Sequence, residues 1–195
     1  MQRCHWPVIE KNSLYLDYHD LEWGVPVHDE RKLFEMLILE GAQAGLSWET
    51  VLNKRENYRK AMDGFDYVKI AAYTEDKISE LLVNPGIIRN RLKILSAVRN
   101  ARVFMEIQKE FGSFDQYLWA FVDFKQIDNS FQSMSSVPAR TEISDQISKD
   151  LKKRGMNFVG STIIYAFMQA VGLVNDHETG CFRHAQCGDR GSSLL

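Results

Sequence analysis

The stretch LFEMLILEGAQAGLSW, residues 33–48, decides how this chain folds. Its first half is apolar at almost every position, so the helix that it forms is predicted to be buried on nearly all sides. One acid, Glu40, ends the apolar run. Burying a carboxylate is costly unless the group is paired or protonated. The acid therefore predicts either a recognition group in a pocket or a structural contact, such as a helix cap or an ion pair with an arginine.

The remainder of the chain predicts further helices and no strands. The apolar spacing and the capping residues predict helices at about 47–62, 66–72, 77–83, 114–122, 144–154 and 161–171, with a short helix near Tyr15 and a long one ending near residue 110. In the long helix, Leu92 is expected to point inward. Residues 123–140 predict a connecting segment, and the tail from Val174 onward predicts a loop. Since no stretch alternates with period two, the predicted fold is all-α.

The composition excludes several classes of protein. The 195 residues carry a net charge of −2, so the protein is not uniformly basic, although it can carry a local basic surface. Three cysteines do not make a secreted disulfide framework and indicate a reducing compartment. No apolar run is long enough for a membrane span, and no signal peptide is recognisable. We therefore expect a cytoplasmic protein.

The segment NPGIIRNRLKIL, residues 84–95, has the features of a DNA-binding hairpin between two helices. Pro85 and Gly86 predict a tight turn, after which the next helix begins with free backbone N–H groups that can bind a phosphate. Basic residues, among them Arg91 and Lys93, follow the turn with no acid between them. This pattern predicts contact with the DNA backbone irrespective of base sequence. The alternative is an ordinary turn followed by a solvated basic face.

Cysteines and histidines near both ends of the chain indicate a metal site. His177 and Cys181 are four residues apart, which lets both bind one ion, and Cys4 and His19 come from the other end of the chain. Two cysteines and two histidines suit tetrahedral zinc in a closed structural site. Spacing alone leaves the choice of ligands open, and unrelated residues remain the alternative. Further candidate ligands are His5, His184 and Cys187.

Aromatic residues form the third feature. They are Trp6, Tyr15, Tyr18, Trp23 and Trp48. Flat rings together with one carboxylate suit a flat, cationic heteroaromatic ring, which they would hold by stacking and cation–π attraction. A damaged nucleobase with a positive charge fits this description better than a normal base. The alternative is a hydrophobic lid over the core. The sequence has no Gly-rich phosphate loop, no H-E-x-x-H and no G-x-S-x-G motif.

Several runs of sequence resemble one family of DNA repair enzymes. The runs are RCHW at 3–6, YLDYHDLEWGVP at 15–26, LFEMLILEGAQAGLSW at 33–48, NPGIIRNRLKI at 84–94, LKKRGMNFVGSTIIYAFMQAVGLVNDH at 151–177 and GC at 180–181. Together they resemble the constitutive bacterial 3-methyladenine DNA glycosylases, a divergent branch of the helix-hairpin-helix glycosylase superfamily. The resemblance extends from Cys4 to Cys181, and residues 182–195 lie outside it.

The resemblance implies a monofunctional DNA repair glycosylase. Such an enzyme flips N3-methyladenine out of alkylated double-stranded DNA, removes it by hydrolysis and leaves an abasic site. It acts more weakly on N3-methylguanine and has no lyase activity. The resemblance implies one unit, residues 1–195, in two helical lobes: one of about residues 36–137, with the helix-hairpin-helix near 77–110, and a zinc-anchored lobe of about residues 1–35 and 138–195. We expect a monomer with one structural zinc ion.

The resemblance also assigns roles to individual residues. The implied zinc ligands are Cys4, His19, His177 and Cys181. The implied base-binding residues are Trp6, Tyr15, Tyr18, Trp23, Glu40 and Trp48. Glu40 is also the candidate catalytic residue. The implied DNA contacts are Gly45 and Leu46, which would fill the gap left by the flipped nucleotide, and Gly86, Arg91 and Lys93.

Functions of a different class account for part of the pattern. A zinc-stabilised module that binds DNA without cutting it would explain the hairpin, the basic residues and the metal ligands. It would not explain an acid buried among aromatic rings. A helical module that only binds methylated bases would explain the acid but not the hairpin. Release of a base from alkylated DNA separates an enzyme from both alternatives.

Overall fold

The computed structural model describes residues 1–6, 9 and 11–189, and within this part the chain is mostly helical, as predicted. The α-helices are α1 (Ser13–Leu21), α2 (Glu30–Gln43), α3 (Trp48–Leu52), α4 (Arg55–Ala61), α5 (Tyr67–Ala71), α6 (Glu75–Val83), α7 (Arg91–Phe111), α8 (Phe114–Trp119), α9 (Glu142–Lys153), α10 (Ser161–Ala170) and α11 (Phe182–Asp189). Short 3₁₀ turns lie at Asp63–Phe65, Ala120–Val122 and Met134–Ser136. Residues 190–195, the end of the predicted zinc-anchored lobe, lie outside the described residues.

The helix α2 is buried at the centre of the fold, as its apolar sequence predicts. Asp29 begins it by accepting a hydrogen bond from the backbone N–H of Lys32. Residues 33–42 of the helix are all buried, and α10, α7, α3 and α8 pack around it. The helix continues through Gly41 to Gln43. Gly41 packs closely against Phe158, because a Cβ there would lie only 3.3 Å away. Glu40 therefore lies in the last turn of α2 and not beyond its end.

The prediction of one helix over residues 47–62 is wrong, because the chain breaks between α3 and α4. Ser47 caps α3 as expected. After the break, the guanidinium group of Arg55 is buried and contacts two acids from earlier in the chain, Glu22 and Glu35. Long-range ion pairs of this kind leave no local signal in the sequence.

Two further predictions about helices need correction. Leu92 is 68% exposed, because the buried face of α7 is centred on Ile94, Ala97 and Ala101. The cap of α9 is Thr141, three residues before the predicted cap Ser144, and the helix begins at Glu142, because Thr141 and Ser144 form a reciprocal capping box.

The tail is not a simple loop. Val174–Asn175 pairs in parallel with Ile127–Asp128, which makes a two-residue sheet, and α11 follows. The short pairing joins the connecting segment of residues 123–140 to the loop that carries His177. The all-α prediction therefore holds except for this one pair within the described residues.

A tight hairpin of residues 84–90 joins α6 to α7. The side chain of Asn84 accepts a hydrogen bond from the N–H of Gly86, and the side chain of Asn90 caps α7 through the N–H of Lys93. Ile87 is buried and anchors the turn in the core. A Cβ at residue 86 would lie 3.0 Å from the side-chain oxygen of Asn84 and 3.1 Å from the Cβ of Asn57, so the close packing favours glycine.

No helix in the described part of the chain combines the length and the apolar character that crossing a membrane requires.

Candidate active site and metal centre

A cavity of about 350 Å³ lies beside the last turn of α2. This volume falls within the range of small-molecule binding sites. Every side chain that the sequence proposed for base binding lines it, namely Trp6, Tyr15, Tyr18, Trp23, Glu40 and Trp48. These residues come from the N-terminal segment, α1, the turn after α1, α2 and the start of α3. Sequence reasoning therefore found this side of the cavity before the structure brought its parts together.

The rings of the cavity support one another through edge contacts. The centroid of the Trp6 ring lies 5.4 Å from that of Tyr15 and 4.6 Å from that of Trp23, both in T-shaped arrangements. The rings of Tyr18 and Trp48 are 5.2 Å apart. Such edge contacts fix the orientation of each ring. The cavity therefore presents rigid aromatic surfaces on which a flat ring can stack.

Glu40 is the only carboxylate among the described residues that line this cavity. Its side chain belongs to a residue that is 3% exposed, and its Oε2 atom has no hydrogen-bond partner. Burial raises the pKa of Glu40 to about 8. Within the described part of the chain, Glu40 does not form the ion pair with an arginine that the sequence left as an alternative. Glu35, five residues earlier on the same helix, pairs with Arg55 and Arg59 instead.

A second buried polar atom without a hydrogen-bond partner belongs to a residue that lines the cavity. The indole Nε1 atom of Trp48 is buried without a hydrogen-bond partner. Buried polar groups are nearly always hydrogen-bonded in native proteins. Glu40 and Trp48 both line the cavity, so a ligand bound there is suited to supply the missing acceptor and donor.

Two parts of the lining were not found from the sequence. One is the segment of residues 134–139, which has no periodic pattern. The other is a face of α10 with four residues at helical spacing, Thr162, Tyr165, Ala166 and Gln169. Polar residues at 162 and 169 in an otherwise apolar helix were the signal that could have identified this face.

The four predicted metal ligands converge in a buried cluster. The ligand atoms of Cys4, His19, His177 and Cys181 all lie within 4.8 Å of one another. The Nδ1 atom of His177 is 3.4 Å from the sulfur of Cys4 and 3.6 Å from that of Cys181, and the Nε2 atom of His19 is 3.6 Å from the sulfur of Cys181. A tetrahedral Zn²⁺ ion bound by nitrogen and sulfur requires about 3.5 Å between such atoms. The cluster could therefore hold a metal ion.

The other ring nitrogen of each histidine has a partner that sets its orientation. The Nδ1 atom of His19 lies 2.7 Å from the carboxylate of Asp20, which Arg3 holds in turn. The Nε2 atom of His177 lies 2.9 Å from the carbonyl oxygen of Trp23. Outer partners of this kind are typical of metal-binding histidines.

The pKa of the Cys181 thiol is lowered, mainly because the side chain of Cys4 forms a hydrogen bond with its sulfur and both histidines add to the effect. A thiolate is the form of cysteine that binds a metal ion. The remaining candidate thiol, Cys187, lies outside the cluster and contacts the carbonyl oxygen of Trp23.

The proposed DNA contacts lie on the surface around the hairpin and the turn after α2. Gly45 has a φ of +76°, a conformation that favours glycine, and Leu46 is 42% exposed. Arg91 is exposed and pairs with Glu75. The Nζ atom of Lys93 donates to the carbonyl oxygens of residues 42 and 44, at 2.8 and 2.7 Å. This lysine therefore ties the start of α7 to the end of α2.

A mostly helical protein with an aromatic cavity around a buried acid is suited to binding a flat nitrogen heterocycle. Comparison with known proteins identifies its family. The family model described as methyladenine glycosylase matches residues 8–184. The chain therefore belongs to the methyladenine glycosylase family of enzymes.

Individual relatives agree with this assignment. DNA-3-methyladenine glycosylase 1 of Escherichia coli (strain K12) is 50% identical over 93% of this chain and 96% of its own length. A crystal structure of 3-methyladenine DNA glycosylase I has 52% identity and a TM-score of 0.89, and covers 93% of this chain and 98% of its own. A structure that describes 3-methyladenine recognition by the enzyme from Staphylococcus aureus has 37% identity and a TM-score of 0.86, with coverage of 88% and 92%.

Proposed function

We propose that this protein removes N3-methyladenine from alkylated double-stranded DNA by hydrolysis of the N-glycosidic bond and leaves an abasic site. N3-methylguanine would be a weaker substrate. The observation that carries the proposal is the buried, unpartnered carboxyl group of Glu40 in an aromatic cavity. Relatives at about half identity are named for activity on the same base.

The chemistry of the substrate explains why such a site can suffice. A purine methylated at N3 carries a positive charge, so its glycosidic bond is already weak. The enzyme then needs to select and extract the base more than it needs a strong acid. Flipping a nucleotide costs a few kcal/mol, and less for a damaged pair. Stacking on the rings of Trp6, Tyr15 and Trp48 would recover that cost.

Glu40 would distinguish the methylated base from a normal one. With a pKa raised to about 8, the carboxyl group of Glu40 is mostly protonated at neutral pH. A cationic ring, or an N–H group that donates to the carboxylate, favours ionisation and lowers that pKa. A normal adenine lacks the charge and gains less from the same contact. Glu40 would in this way accept a hydrogen bond from the N–H edge of the base.

The lining of the cavity also supports a hydrolase without lyase activity. A lyase of this kind requires an amine that forms a Schiff base with the sugar. Among the described residues that line the cavity there is no lysine. We therefore propose a monofunctional enzyme, with water as the acceptor of the glycosyl group.

We propose that the metal cluster binds one structural zinc ion. Four protein ligands fill a tetrahedral site and leave no open position for a reacting water. Cys4 and His19 precede α2, whereas His177 and Cys181 follow α10, so the ion would join the two ends of the chain. Its role would be to hold Trp6 and Trp23 in place, because their rings contact His19 and His177.

The hairpin would bind the DNA backbone, and the turn after α2 would insert into the duplex. The N–H groups at the start of α7, together with Arg91, would bind backbone phosphates, which gives affinity without sequence preference. Gly86 would permit the close approach, in a helix-hairpin-helix arrangement. Leu46, on the turn formed by Gly45, would fill the space left by the flipped nucleotide. Lys93 would act indirectly, by fixing the end of α2 against the hairpin.

The division into two lobes, a monomeric state and a cytoplasmic location stay predictions from the sequence. So does the weaker activity on N3-methylguanine. A module that binds damaged DNA or free bases without catalysis is the competing proposal. The experiment below distinguishes such a module from an enzyme.

The test is to incubate the protein with methylated duplex DNA and to identify the released bases by chromatography. The expected products are 3-methyladenine, less 3-methylguanine, and DNA with abasic sites but intact strands. Strand cleavage by the protein would contradict the monofunctional assignment. Binding of the damaged duplex without release of any base would favour the non-catalytic module.

A further inference from the structure

The metal-ligand loop, residues 176–178, also contacts both walls of the cavity that sequence analysis did not find. We call residues 131–139 the pocket wall, because Met134, Val137 and Pro138 line the cavity. The pocket wall contains only one short 3₁₀ turn, which begins without a side-chain cap. Contacts from elsewhere in the chain must therefore hold it in position.

Glu178 supplies the main polar contact to the pocket wall. The residue is 2% exposed, and its Oε1 atom accepts a hydrogen bond of 2.9 Å from the backbone N–H of Met134. Its Oε2 atom lies 2.7 Å from the Nδ1 atom of His5. Beside it, the N–H of Thr179 donates to the carbonyl oxygen of Phe131 at 2.8 Å. The start and the middle of the pocket wall are thus fastened to the chain just after His177.

The backbone of the same residue contacts the metal cluster. The N–H of Glu178 donates to the sulfur of Cys4 at 3.4 Å. Hydrogen bonds to a ligand sulfur are a common way in which the surrounding protein fixes a metal site. Glu178 therefore contacts a metal ligand through its backbone and the pocket wall through its side chain.

Asp176, on the other side of His177, makes the equivalent connection to α10. Its Oδ2 atom accepts hydrogen bonds from the hydroxyl group of Tyr165 at 2.6 Å and from the amide group of Gln169 at 2.7 Å. Both of those residues line the cavity. The two acids that flank His177 thus each hold one side of the cavity.

We propose that Glu178 is a positioning residue for base binding, which holds the pocket wall at the place set by the metal-ligand loop. The proposal rests on the proposed function, because it concerns how tightly the cavity binds the methylated base. Without the Glu178 carboxylate, the N–H of Met134 loses its acceptor and the pocket wall moves away from the rings opposite. Glu178 itself does not contact the base.

The test measures binding of free 3-methyladenine through tryptophan fluorescence, since three of the four tryptophans line the cavity. Glu178→Ala should raise the dissociation constant about 5- to 20-fold, because the N–H of Met134 loses its acceptor and the pocket wall loses a contact that holds it in position. Metal content and affinity for undamaged duplex should equal those of the wild type. Glu178→Gln should bind within about twofold of the wild type, because its amide oxygen can still accept from Met134 and its amide nitrogen can donate to His5.

A second pair of variants tests the same hydrogen bond from its other end. Met134→Pro removes the backbone N–H at the first position of a turn, where proline is tolerated, and Ser133 before it is already extended. Met134→Ala is the matched control for the lost side chain. Met134→Pro should weaken base binding beyond Met134→Ala, by a factor similar to that of Glu178→Ala.

The outcomes distinguish the positioning role of Glu178 from the proposed function. Wild-type protein that fails to bind 3-methyladenine would refute the proposed function itself. Wild-type binding that is unchanged in Glu178→Ala would refute only the positioning role. Loss of the metal in Glu178→Ala, or a Glu178→Gln variant as weak as Glu178→Ala, would also overturn it. If Glu178→Ala does not fold, equal binding of 3-methyladenine by Met134→Pro and Met134→Ala would refute the positioning role.

Discussion

Replacing Glu40 by glutamine should make the protein more stable at neutral pH, and the gain should depend on pH. The carboxyl group is buried without a partner, and burial raises its pKa from 4.5 to about 8. Below about pH 4.5 both the folded and the unfolded chain hold the proton, so the group has no effect on stability. As the pH rises toward 8, the unfolded chain loses the proton but the folded chain keeps it, which favours unfolding.

The size of the effect follows from the shift. Between about pH 5 and about pH 7.5 the penalty from Glu40 grows by roughly 3 kcal/mol, at 1.36 kcal/mol per pH unit of proton linkage. Glu40→Gln has no such penalty. The difference in melting temperature between Glu40→Gln and the wild type should therefore grow by about 6–12 °C over the same pH interval. Any pH dependence of the metal site is common to both proteins and cancels in the difference.

The assay is thermal unfolding of both proteins across this pH range, with Glu35→Gln as the matched control. Glu35 lies on the same helix and is also buried. Burial opposes its ionisation, but Arg55 and Arg59 outweigh that effect and lower its pKa. Glu35→Gln should therefore destabilise the protein by an amount that changes little above about pH 5. A constant difference between Glu40→Gln and the wild type would refute the raised pKa of Glu40.

Three further predictions concern the metal, the DNA surface and the support of α2. Cys181→Ala should lose the bound metal and melt at a lower temperature, whereas Cys187→Ala should keep about one zinc per chain by metal analysis. Arg91→Glu should weaken binding of damaged and undamaged duplex alike and lower the salt dependence of binding. Lys109→Glu, at the far end of α7, should do neither. An unchanged salt dependence for Arg91→Glu would contradict the phosphate contact. Lys93→Met should cost about 1–3 kcal/mol of stability in denaturant unfolding, because two carbonyl oxygens lose a charged donor; an unaltered unfolding midpoint would contradict that support.

The sequence predicted the centre of the fold well for a physical reason. A helix that is apolar on nearly all sides can only be buried, and α2 is. The sequence left open whether Glu40 is a recognition group or a structural contact. In the structure Glu40 lines the cavity, whereas Arg55 and Arg59 pair with Glu35. Residue type and spacing proposed the aromatic set and a Cys/His metal site, the resemblance selected the four ligands, and the structure shows that each set converges.

Several of the errors come from contacts between distant parts of the chain. The break between α3 and α4 accompanies the burial of Arg55 against Glu22, 33 residues earlier. The pocket wall lacks a periodic pattern, because hydrogen bonds from Glu178 and Thr179 hold it instead of a helix. The polar sequence of α11 gave no helical pattern, although the chain after Cys181 does form one. Interactions of this kind cannot be read from local spacing.

The most direct test of the central claim is the rate at which 3-methyladenine is released from methylated duplex DNA by the wild type and by Glu40→Gln. The structure predicts release by the wild type and a loss of roughly 10- to 150-fold in the variant, the value of one hydrogen bond to a charged group. The variant should keep its metal and its affinity for undamaged DNA. Release by Glu40→Gln at the wild-type rate would contradict the claim that Glu40 recognises the methylated base.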